Sequence, residues 1–115
     1  MDAETLNQWR EIIIRRLKPL AEIEYPEVFD RENRLVIDRE RDEYMVVTMG
    51  WEEKFRRIHG CLVHVEIRGD KVWIQTDGTE NGIASELVEA GIPRENIVLG
   101  YKTVERRQMT GFAAA

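Results

Sequence analysis

Apolar residues at Leu6, Trp9, Ile13, Leu17 and Leu20 recur at steps of three and four, the spacing that lines one face of a helix. An amphipathic helix is predicted from about Ala3 to Leu17, with Asp2 as its N-cap. Pro19 lacks a backbone donor and disfavours helical geometry at Lys18, so a kink or stop is expected there. Glu22 to Arg34 then reads as a connecting segment, in which Tyr25, Pro26 and Phe29 can dock.

From Leu35 the period changes to two. Leu35 to Asp38 and Tyr44 to Trp51 are predicted strands joined by the charged loop Arg39 to Glu43, and the second is apolar on both faces, as a strand covered on both sides would be. Cys61, Val63, Val65 and Ile67 alternate with Leu62, His64, Glu66 and Arg68, and Gly69-Asp70 supplies a two-residue turn into Lys71 to Thr76. That turn sets Ile67 against Val72, Val65 against Ile74, Glu66 against Trp73 and His64 against Gln75. Lys54 to His59 extends the first strand backwards, with Gly60 marking a bulge or bend. A second helix is expected from about Thr79 to Ala90, stopped by Gly91 and Pro93, and Ile97-Val98-Leu99 reads as one more extended segment. The tail Gly111-Phe112-Ala113-Ala114-Ala115 is apolar for a free end and is expected to dock on the body or on another subunit.

These elements describe one α+β domain over residues 1–115, an antiparallel sheet of about four strands with the Lys54 to Thr76 hairpin at its heart and two helices packed on it. The net charge of -5 disfavours autonomous phosphate gripping, and the clusters Arg15-Arg16, Arg56-Arg57 and Arg106-Arg107 all have acids nearby. The single cysteine, Cys61, cannot form an internal disulfide and is expected as a buried thiol in a reducing compartment. Asp2 and Glu4 precede any apolar run, which argues against a signal peptide and for a cytoplasmic protein.

The strand-to-helix corner Asp77-Gly78-Thr79-Glu80 allows two readings. Asp77 with Glu80 forms a variant capping box, whereas an anion on the helix N-terminus would be repelled by the same two acids. A ligand or enzymatic site here would draw on His64, Gln75, Asp77, Thr79 and Glu80, but no nucleophile with a local partner is visible. Two histidines and one cysteine make a zinc cage improbable, so neither a metal nor a cofactor is expected. Trp9, Trp51 and Trp73 fall on core faces by periodicity, although Trp51, beside Gly50 at a strand end, can instead anchor a partner. Trp51, Arg56, Arg57 and Phe112 are the candidate partner surface.

The segments Gly60-Cys61-Leu62-Val63-His64, Gly69 to Glu80, Gly82-Ile83-Ala84, Leu87 to Pro93 and Thr110-Gly111-Phe112-Ala113 carry a resemblance that runs from the first helix to the last residue. The chain resembles the XisI family, the fdxN element excision controlling factor proteins. Thr76 stands where histidine is more usual, and Lys18-Pro19 interrupts a helix that typically runs on. The resemblance implies an α+β accessory protein, with no catalytic residue to carry over and none expected, acting with a nuclease-fold companion, XisH. Together they control a site-specific recombinase during heterocyst-type DNA rearrangement in nitrogen-fixing filamentous bacteria. The alternatives are direct DNA binding through the strand bearing Arg56 and Arg57, and a small-ligand or enzymatic site at the Asp77 corner. The apolar tail and aromatic strand ends also fit a homo-oligomer.

Overall fold

The computed structural model describes residues 1–115. Helix α1 spans Ala3–Ala21, with the Asp2 side chain accepting from the Thr5 amide at 2.7 Å. It runs through Pro19 instead of stopping before it. Proline stands only two residues from the helix end, so one carbonyl loses a donor, while Leu17 is fully buried and Leu20 packs against the core. Burial of those two leucines outweighs a single lost bond near an exposed terminus.

Strands β1 (Asp30–Asp38), β2 (Glu43–Glu52), β3 (Arg56–Arg68) and β4 (Lys71–Asp77) form an antiparallel meander, and β5 (Ile97–Leu99) adds to β4 in parallel. The sheet is therefore mixed and five-stranded, against the expected four antiparallel strands. The parallel edge arises because helix α2 (Ile83–Ala90) forms a crossover between β4 and β5. β1 begins at Asp30, inside the segment expected to be a connector. Its polar start, Asp30 to Arg34, carries no alternation signal and is ordered by its ladder with Val47 to Trp51 of β2.

Both helices cover the same sheet face. Trp9, Ile13 and Leu17 of α1 and Ile83, Ala84 and Leu87 of α2 join one core with Tyr44, Val46, Val63, Val65, Val72 and Ile74. Val63 lies opposite Val46 and Val65 opposite Tyr44, so these positions share the covered side. Tyr44 donates its hydroxyl to Asp42 at 2.9 Å, and Asp42 accepts both Nε and Nη2 of Arg10 at 2.6 and 3.0 Å, which ties the β1–β2 loop to α1. Burial alone would push the Asp42 carboxyl up, but the bonds from Arg10 and Tyr44 outweigh it and hold it below the usual range. A depressed folded value stabilises the protein above the unfolded value of about 4, and that stability is lost as pH falls through the folded value. Asp42→Asn is expected to lower stability at pH 7 by about 1–2 kcal/mol and to flatten the acid limb below about pH 4, as urea titrations at both pH values will show.

The molecule is extended at one end. Its Cα radius of gyration is 15.2 Å, against about 13 Å for a compact chain of this length. The excess comes from β1, β2 and the first half of β3, which project past β4: β3 pairs with β4 only from Val63 onward, leaving the second edge of Arg56 to Cys61 unpaired. No helix is long and apolar enough to cross a membrane.

Candidate functional site

Three regions hold the candidate residues, and the sheet registers decide which of them meet. The first is the corner after β4. Asp77 Oδ1 accepts from the Thr79 amide at 3.0 Å and from the Thr79 hydroxyl, while Oδ2 accepts from the Ile83 amide at 2.7 Å. Helix α2 starts at Ile83, not Thr79, and its N-cap position is Gly82, at φ 83°. Asp77 therefore caps the helix from six residues upstream, in place of the expected box with Glu80, which stays exposed. Both Asp77 oxygens are engaged by the chain itself, and the carboxylate faces the helix N-terminus that an anion would need. Asp77→Ala is expected to lower stability by about 2 kcal/mol in thermal or urea unfolding, because it frees two amides and a hydroxyl at once.

The second region lies on the sheet face that the helices leave uncovered. Two β-bulges reset the expected register there. In β3 the extra residue is Leu62, since Val46 faces Val63 and Val47 faces Cys61. Cys61 thereby leaves the face of Val63 and is exposed, contrary to the buried thiol expected; its Sγ donates to the Val63 carbonyl at 3.3 Å and local burial of the sulfur pushes the thiol up. Gly60 pairs regularly with Thr48 and is not the bulge. In β4 the extra residue is Gln75, so His64 meets Thr76 and not Gln75. His64 sits on the open face, whereas Asp77 pairs with Val63 of the covered face, so the proposed His64, Asp77 and Glu80 constellation is not assembled.

The structure assembles a different group. Glu43 of β2 faces Glu66 of β3, and His64 Nε2 approaches Glu43 Oε1 at 3.2 Å. Gln75 donates to Glu66 Oε1 at 2.8 Å, and Arg68 Nε lies 3.4 Å from the same oxygen. The side chains of His64, Glu43 and Glu66 are 25%, 33% and 18% exposed, half-sheltered and still reachable from solvent. Glu43 is held above the ordinary carboxyl range, first because it shares a hydrogen bond with Glu66 and then by burial. Burial also pushes Glu66 up, but the bonds from Glu43 and Gln75 outweigh it, so Glu66 falls below that range. The two neighbours are thus split, Glu43 the weaker acid and Glu66 the stronger. Sequence reasoning found His64 and Gln75 but not Glu43 and Glu66. The signal was the β2–β3 register, which the Leu62 bulge conceals.

Beside this group Trp73 is half-buried, with the guanidiniums of Arg68 and Arg107 at 4.9 and 5.2 Å from its ring centroid, instead of lying in the core. Arg107 belongs to the short helix α3 (Val104–Arg107) and donates to the carbonyls of Lys102 and Gly100.

The third region is the projecting arm. Trp51 faces Arg57 across β2 and β3, with the guanidinium 5.2 Å from the ring, so these two candidates do meet. Arg56 lies 3.9 Å from Glu52, and Arg57 Nη1 is 3.4 Å from the Gly50 carbonyl. The turn between β2 and β3 holds Glu53 and Lys54 at φ 52° and 69° and leaves Phe55 89% exposed. Val28 is 84%, Phe29 55% and Trp51 42% exposed, and they line or border a cleft of about 240 Å³ with Arg31, Glu52 and Glu53. Phe112 lies elsewhere: it packs against the core under Arg94, and the Ala113 amide donates to the Ile97 carbonyl at 2.8 Å, so the tail docks on its own body.

Set beside known proteins, the chain matches the family model described as XisI protein over residues 1–114. It is similar to the crystal structure of a XisI-like protein from Anabaena variabilis, with 34% identity, a TM-score of 0.86 and coverage of 96% of this chain and 99% of that one. It is also similar to the fdxN element excision controlling factor XisI from the same organism, with 32% identity, a TM-score of 0.82 and coverage of 96% and 98%. No curated protein sequence matches it. With nearly its whole length matched by the family model and by both folds, the chain belongs to the XisI family.

Proposed function

We propose that this chain is a non-enzymatic accessory factor that controls excision of a DNA element by binding another protein, an XisH-like partner, through the projecting arm. The observation that carries the reading is the arm tip, where Val28 and Phe55 stand almost fully exposed beside Phe29 and Trp51 with no part of the chain covering them. Large apolar side chains clustered around a cleft and rimmed by Arg31, Glu52, Glu53 and Arg57 have the make-up of a recognition surface, an apolar centre inside a charged ring. Glu53 and Lys54, both at positive φ, form the tight turn closed by the Phe55 amide on the Glu52 carbonyl at 3.1 Å, and this turn presents Phe55 at the arm tip.

Three further points support it. The similar Anabaena variabilis protein is called a controlling factor. The net charge of -5 complements a basic DNA-contacting partner and would speed their encounter. Cys61, the one thiol, has its acidity reduced by burial, and its Sγ donates to the Val63 carbonyl and not to a base. Direct DNA binding is the rival reading, but at the arm tip Arg56 and Arg57 are engaged by Glu52, Trp51 and the Gly50 carbonyl.

Co-expression with the XisH-like protein, in a cytoplasmic host, tests the proposal. A stoichiometric complex that survives size exclusion is expected. Components that fail to associate at high micromolar concentration contradict it, and a gel shift of element-end DNA by the isolated chain that fades steeply with salt would favour the rival.

A further inference from the structure

The open sheet face carries a second feature that partner binding at the arm does not use. Donor atoms of Glu43, His64 and Glu66 all lie within 4.8 Å of one another. An ion held about 2.0–2.2 Å from each of three donors needs those donors roughly 3–3.5 Å apart, and the His64 Nε2 to Glu43 Oε1 distance is already 3.2 Å. The three residues stand on two neighbouring strands, Glu43 directly opposite Glu66 and His64 two residues before it, so the ladder holds their backbones in place. Gln75, two residues on from Trp73 and left unpaired by the β4 bulge, donates to Glu66 Oε1 and orients it from outside the donor set.

Two carboxylates whose oxygens lie within 4.8 Å of each other repel, and a cation held between them relieves that repulsion. Of the neighbouring side chains, Arg68 offers one guanidinium at 3.4 Å from Glu66, and it does not reach Glu43 within ion-pair distance. We infer that Glu43, His64 and Glu66 form a binding site for a divalent transition-metal ion, with Gln75 as the positioning residue. One imidazole nitrogen with carboxylate oxygens selects zinc, manganese or ferrous iron over magnesium or calcium, which take oxygen ligands alone. Three protein ligands leave at least one coordination position facing solvent, where water or a partner's side chain completes the sphere. The site lies away from the arm tip, so the two proposals stand or fall separately.

The test is isothermal titration of chelator-treated protein with Zn²⁺ and with Mn²⁺ at pH 7.5, in parallel with the visible absorption of the Co²⁺-loaded protein. One ion per chain at micromolar affinity or tighter is expected. His64→Gln and Glu43→Gln should each weaken binding about tenfold or more and bleach the Co²⁺ bands, Gln75→Ala should weaken it less, and His59→Gln should leave it unchanged. The two ligand substitutions sit on different strands, and circular dichroism identifies a variant that has lost its fold, so either one suffices. Absence of saturable binding of both ions at micromolar concentrations, or binding that survives both ligand substitutions, overturns the inference.

Discussion

Gly50→Ala is expected to destabilise the protein by about 3 kcal/mol and lower its Tm by about 10 °C. A methyl group at this position would stand 1.7 Å from the Asp30 carbonyl oxygen and 2.7 Å from its carbon, well inside contact distance. The obstacle is backbone, not a flexible side chain, so β1 must move. Moving it breaks the ladder in which Arg31 faces Gly50 and Asp30 faces Trp51, and with it the bond from Arg31 Nη1 to the Trp51 carbonyl. The loss falls on the arm, because that ladder is what orders the polar start of β1. Gly60→Ala is the matched control: its added methyl meets nothing within 4 Å, and stability should stay within about 0.5 kcal/mol. Thermal melts of the pair check both statements, and equal losses would show that the close approach at Gly50 is not what constrains the arm.

The second large effect is on association. Trp51→Ala with Phe55→Ala removes two exposed aromatic groups that make no contribution to the buried core, so the variant should melt within a degree or two of the parent. Its affinity for the XisH-like partner should fall at least about 100-fold, since truncating a buried aromatic anchor at the centre of an interface commonly costs about 2 kcal/mol or more and two neighbouring losses do not add in full. Phe112→Ala provides the contrast. Phe112 packs on the body under Arg94, so its loss should reduce stability by about 1–2 kcal/mol while affinity for the partner stays the same. Isothermal titration across the three proteins separates the two surfaces.

What the chain reveals by itself follows from how locally each element is determined. The β3–β4 hairpin was legible because Gly69-Asp70 fixes the turn and the alternation on both sides agrees with it, and the observed pairs Ile67–Val72, Glu66–Trp73 and Val65–Ile74 are those expected. Prediction failed one step further along, where the Gln75 bulge turns His64 toward Thr76, because an inserted residue leaves no mark in the apolar pattern. Helix α1 was legible by its period, but its passage through Pro19 depends on the core that Leu17 and Leu20 reach. The start of β1 has no apolar alternation and exists through its partner strand; its one internal clue, the buried Asn33, bonds to the Leu20 carbonyl and to Thr48 across the sheet.

The candidate sites divide in the same way. The corner at Asp77 was legible as a cap because acids before a helix act within a few residues, although the helix begins later than its sequence pattern indicates. Glu43 and Glu66 are 23 positions apart by sequence number and meet only through the β2–β3 register, which no local pattern specifies. Trp51 looked like a core residue by period. It is exposed because it shares the face of Val47 and Met49, opposite to the covered face of Tyr44 and Val46, and nothing in the chain covers that face at the arm; β2 is apolar on both faces, so its pattern does not say which one is covered.

The proposal that the arm is the docking surface is tested most directly by hydrogen exchange of the chain, free and in complex with its XisH-like partner. Slowed exchange confined to the arm, from Val28 to Arg31 and from Met49 to Gly60, with the α1–α2 face unchanged, is the predicted result. Protection that falls on α1 and α2 and leaves the arm exchanging as in the free protein would contradict it.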